Sequence, residues 1–72
     1  MNMHDHEGWR IGVRLFQTDA CWSAGVEVWK PGTSPRTHSG LPLPFTGRFD
    51  TAGEAEAAAV DQAKHWIDRQ PA

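Results

Sequence analysis

An α+β fold of two layers, β-β-β-α, is what this sequence predicts: a three-stranded antiparallel sheet covered on one face by a single C-terminal helix. Three observations carry the expectation. Residues 51–69, TAGEAEAAAVDQAKHWIDR, keep an apolar side at helical period behind a capping signal. Two stretches, GWRIGVRLF and ACWSAGVEVWK, alternate apolar and polar residues at period two. A third, LPLPFTGRF, has the apolar parity of a strand but carries two prolines, which suit only an edge.

Residues 1–7 show no apolar period and are expected as a flexible tail ahead of a single domain over residues 8–70. The run His4 to Glu7 has the composition to take up a transition metal, but a closed shell would need further ligands from the fold. From Gly8 to Phe16, Trp9, Ile11, Val13 and Leu15 share one face; Arg10, Gly12, Arg14 and Phe16 share the other. From Ala20 to Lys30, Trp22, Ala24, Val26 and Val28 oppose Cys21, Ser23, Gly25, Glu27 and Trp29. Reading QTDA as a four-residue hairpin loop sets Phe16 against Cys21, Leu15 against Trp22, Gly12 against Gly25 and Arg10 against Glu27.

PGTSPR turns the chain, and Leu43 to Phe49 is expected as the third strand, running directly into the helix cap. At the helix start Thr51 and Glu54 have capping-box spacing. Ala52, Ala55, Ala59, Ala63 and Trp66 fall on one side of the wheel, with Val60 and Ile67 at its margin. Glu56 falls on the wrong side, and Pro71 forbids further helix. The expected core is Trp9, Ile11, Val13, Leu15, Trp22, Val26, Val28, Phe45, Phe49, Ala59, Ala63, Trp66 and Ile67.

With 72 residues the chain makes one domain, and a core of that size is marginal without staples. Cys21 is the only cysteine, so no intrachain disulfide forms and a reducing, cytoplasmic setting is expected, with no membrane segment and no signal-peptide core. Seven Lys plus Arg against nine Asp plus Glu leave a net charge of −2, which argues against bulk attraction to nucleic acid. Basic residues concentrate before Phe49 and acidic ones after it.

The sequence has none of the glycine-rich phosphate loops, zinc-protease, paired-cysteine or nucleophile-elbow patterns, so neither enzyme nor cofactor is expected. The informative surface is the sheet face away from the helix. Parity places Arg10, Arg14, Phe16, Glu27 and Trp29 there, around the bare pair Gly12 and Gly25, with Arg36 in the following loop. Arginine and aromatic side chains are the types enriched at recognition surfaces, and a glycine floor admits a close approach. Trp29 is expected to be substantially exposed with Arg14 beside it, unless a loop such as residues 31–36 or a partner covers the indole. The leading expectation is a small non-enzymatic interaction module that docks a protein partner or a second copy of itself through this face. The alternative is a nucleic-acid binder, with Arg10, Arg14 and Arg36 on phosphates and Trp29 or Phe16 stacking on bases.

The pattern Trp9-x-Ile11-x-Val13, Trp22, Val26-x-Val28, then Phe49-x-Thr51-x-x-Glu54-Ala55, Ala59, Ala63, Trp66-Ile67 resembles small bacterial proteins of unknown function over nearly the whole chain. Its residues are core and cap positions, so the resemblance implies a fold and no activity. By strand order the layout is also similar to the arm-binding domain of phage-type integrases and to the β-β-β-α part of double-stranded-RNA-binding domains. In the former the sheet contacts DNA; this chain departs from it in being acidic overall and having only Lys30 and Lys64 as lysines.

Overall fold

A computed structural model describes residues 1–71. It contains an antiparallel meander of four strands, β1 (Asn2–His6), β2 (Trp9–Thr18), β3 (Cys21–Trp29) and β4 (Leu41–Leu43), in that spatial order, and one helix, α1 (Ala52–Asp68). The smallest of the principal-axis extents, 38 × 25 × 16 Å, is what one sheet and one helix layer require. The α+β class holds, with four strands rather than three.

The additional strand is the segment expected as a tail. Asn2–His6 pairs with β2 through a two-residue turn, His6 opposite Trp9 and Asn2 opposite Val13. Glu7 and Gly8 in that turn have φ of 52° and 81°, the left-handed pair that matches the twist of two flanking strands. The turn between β2 and β3 has the same form. Thr18 faces Cys21, so the turn is Asp19-Ala20, with φ of 50° and 65°, and not the four-residue loop. Both strands therefore extend further before turning, and every opposed pair moves by two residues. Leu15 faces Ala24, Arg10 faces Trp29, Gly12 faces Glu27 and Arg14 faces Gly25. A shift of two leaves each side chain on its expected face.

The expected third strand is also relocated. Leu41–Leu43 pairs with β3, the chain leaves the sheet over residues 44–48, and Phe49 returns for one bridge to Trp22 with N···O distances of 2.7 and 2.9 Å. Pro44 has no N–H to extend the ladder, its carbonyl accepts from Gln62 of α1, and Phe45 turns to stack on Phe49 at 6.1 Å.

Helix α1 begins where the cap requires. Thr51 is extended (φ −128°) and its hydroxyl accepts from the Glu54 amide at 3.1 Å, an interaction worth about 1 kcal/mol. The Glu54 carboxylate lies 3.1 Å from the same hydroxyl, in place of the reciprocal bond to the Thr51 amide. Ala55, Ala59, Ala63 and Ile67 form the buried stripe. Ile67, expected at the margin, is central; Trp66 is half-buried and meets Trp9 edge to face at 5.6 Å. Ile11, Val13, Ala24, Val26, Val28 and Leu43 complete the core from the sheet.

Glu56, anomalous on the helix wheel, has a partner in β1. The inward side chains of β1 are polar and reach across to α1: Asn2 Nδ2 donates to Glu56 Oε1 at 2.8 Å and His4 Nε2 to Glu56 Oε2 at 2.7 Å. His6 Nε2 donates to Asp68 Oδ1 at 2.8 Å. An ionised carboxylate only accepts, so each ring carries its proton on Nε2.

Candidate functional site

Alternation along β2 and β3 puts Arg10, Gly12, Arg14 and Phe16, and Ser23, Gly25, Glu27 and Trp29, on the face away from α1. β1 adds Met3 opposite Gly12 and Asp5 opposite Arg10. This face has two halves of different character.

In the first half the expected exposed indole is sealed. Trp29 is 6% exposed, which corrects the expectation of a largely exposed ring. It stays on the outer face and is not under the helix: a Cβ added at Gly12 would lie 2.9 Å from its ring, and one added at Gly40 would lie 2.8 Å from it. The loop over residues 30–40 closes on it, and its Nε1–H donates to the His38 carbonyl at 3.0 Å. His38 Nδ1 in turn accepts from the Ser34 amide at 3.3 Å and lies 2.8 Å from the Thr37 hydroxyl, which fixes the loop. The Met1 sulfur would be 2.7 Å from a Gly12 Cβ, so it covers the same floor from the β1 side. Glu27 is half-buried, with a carboxylate oxygen 2.7 Å from where a Gly40 Cβ would stand. Arg10 does not pair with Glu27; its Nε donates to Asp5 Oδ1 at 3.3 Å.

The second half is open. Phe16 is 46% exposed, whereas Met3, 41% exposed, stands on the edge strand opposite Gly12 and borders the first half. Arg14 is exposed and lies across from Gly25, where an added Cβ would meet nothing within 4 Å. Arg14 is therefore beside Gly25 and Phe16, not beside Trp29. Next to Phe16 a shallow groove of about 270 Å³ runs between Ser23, Cys21 and Arg48. Arg36 is exposed in the 30–40 loop, its amide held by the Ser34 hydroxyl at 3.2 Å. Among the described residues neither Arg14 nor Arg36 has an ion-pair partner.

The six residues singled out from sequence thus divide. Trp29, Glu27 and Arg10 belong to the covered half, Arg14 and Phe16 to the open half, and Arg36 to the loop. Sequence reasoning missed Met1 and Met3, which join the face only because β1 is a strand. It also missed a cleft of about 470 Å³ at the end of the sheet, where Trp9, Trp29 and Trp66 converge with Leu41. Among the described residues no group of three or more His, Cys, Asp or Glu could hold a metal ion, and no helix is long and apolar enough to cross a membrane. Comparison with protein-family models, with curated proteins and with solved structures found no match.

Proposed function

We propose that the chain is a small non-enzymatic interaction module that docks a protein through the open half of its outer sheet face. The observation that supports this is exposed Phe16 and unpaired Arg14 beside Gly25, over which a partner's backbone can approach without meeting a side chain. Apolar and arginine groups beside a bare glycine make a surface with an apolar centre and a charged rim. The nucleic-acid alternative draws less support, because the Trp29 ring is not free to stack and the Arg10 guanidinium is engaged by Asp5.

A photoreactive phenylalanine analogue at position 16 tests the reading in the source cells. Discrete protein adducts are expected there and not from the same analogue at exposed Asp50. Adducts to nucleic acid, or salt-sensitive oligonucleotide shifts of the Arg14 and Gly25 amides, would reverse the ranking. Equal labelling from both positions would contradict docking at this face.

A further inference from the structure

β1 is attached differently from the rest of the sheet. No residue of β1 is buried, and β1 adds no side chain to the apolar core. It is held by its ladder to β2 and by the side-chain bonds from Asn2, His4 and His6 to Glu56 and Asp68. Its two-residue turn holds Glu7 at φ 52°, a region that L side chains other than Asn and Asp rarely occupy. Under β1 lies the edge of β2, including the fully buried Ile11 and Val13.

We propose that β1 exchanges between two copies of the chain. Residues 2–6 of one copy then pair with β2 of the other, and their Asn2, His4 and His6 reach that copy's Glu56 and Asp68. The closed and exchanged forms contain the same ladder and the same side-chain bonds. Only the turn differs: opening residues 7–8 into an extended link removes the left-handed geometry at Glu7, and short strained hinges favour such exchange. Release of β1 withdraws no apolar group from the core. Exchange of β3 would open the second turn at the cost of Ala24, Val26 and Val28 leaving it. The occupant of the β2 edge is therefore a second copy's β1, a surface separate from the open outer face.

The hinge gives the test. Glu7→Pro forbids the closed turn, since proline fixes φ near −65°, and favours an extended His6 before it. Light scattering is expected to give twice the single-chain mass, with β1 and β2 amides still protected from exchange. A single-chain mass with unprotected β1 amides would overturn the proposal. If that variant fails to fold, a second pairing decides. One chain carries His4→Glu and His6→Glu, the other Glu56→Lys and Asp68→Lys. Alone, the first sets carboxylate against carboxylate and the second sets ring N–H donors against ammonium donors, whereas exchange between the two pairs glutamate with lysine in one clamp and restores the histidine–carboxylate bonds in the other. Native mass spectrometry of an equal mixture is expected to show a one-to-one heterodimer, and single-chain masses alone would refute the exchange.

Discussion

The two halves of the outer sheet face begin from the same chemistry and end differently. Each has a glycine on its floor, Gly12 in one and Gly25 in the other, and each has an aromatic ring on its strands, Trp29 and Phe16. Around Gly12 the indole lies flat enough that no Cβ fits, and the 30–40 loop and Met1 close over it. Around Gly25 nothing closes, and Phe16 stands half exposed beside Arg14. The difference is the presence of a loop able to accept the indole N–H. A tryptophan on a solvent face can be absorbed when one carbonyl, here that of His38, meets its polar end. The phenylalanine has no such handle, and the turn beside it is only two residues long.

Substitutions can break this contrast or sharpen it. The largest effect is expected from Trp29→Ala, which removes the indole that fills the space between Gly12 and Gly40; unfolding in urea should show a loss of about 3–5 kcal/mol. Gly12→Ala places a Cβ against the Trp29 ring and should cost about 1–3 kcal/mol in the same assay. Gly25→Ala meets open space and should stabilise by about 0.5–1 kcal/mol, since glycine in a strand carries an entropic penalty. Phe16→Ser should change stability least, by about 0.5 kcal/mol or less, as for other surface substitutions, while abolishing partner adducts in the crosslinking assay moved to position 14. Equal costs for Gly12→Ala and Gly25→Ala would erase the distinction between the halves.

Local signals carried much of the fold. Thr51 and Glu54 placed the helix start because both halves of that signal lie within one turn. Strand faces survived a wrong turn length because moving the register by two residues preserves parity. Asp19-Ala20 was illegible as a tight turn because alanine is a poor occupant of the left-handed region, where Asn-Gly would have announced itself. β1 was illegible because its inward residues are Asn2, His4 and His6, whose partners lie on a helix 52 to 62 residues away. The one trace it left was Glu56 on the wrong side of the wheel. For the candidate site, composition and parity identified the face. The closure over Trp29 was not legible, because it depends on a loop carbonyl that no local pattern marks.

The division of the outer face is tested most directly by adding a soluble paramagnetic gadolinium chelate and following proton relaxation. The Gly25 Hα, Phe16 ring and Arg14 side-chain signals should be strongly attenuated, and the Trp29 indole N–H should keep its intensity at the same concentration. Attenuation of the Trp29 indole N–H equal to that of the Phe16 ring would contradict a sealed half and an open half.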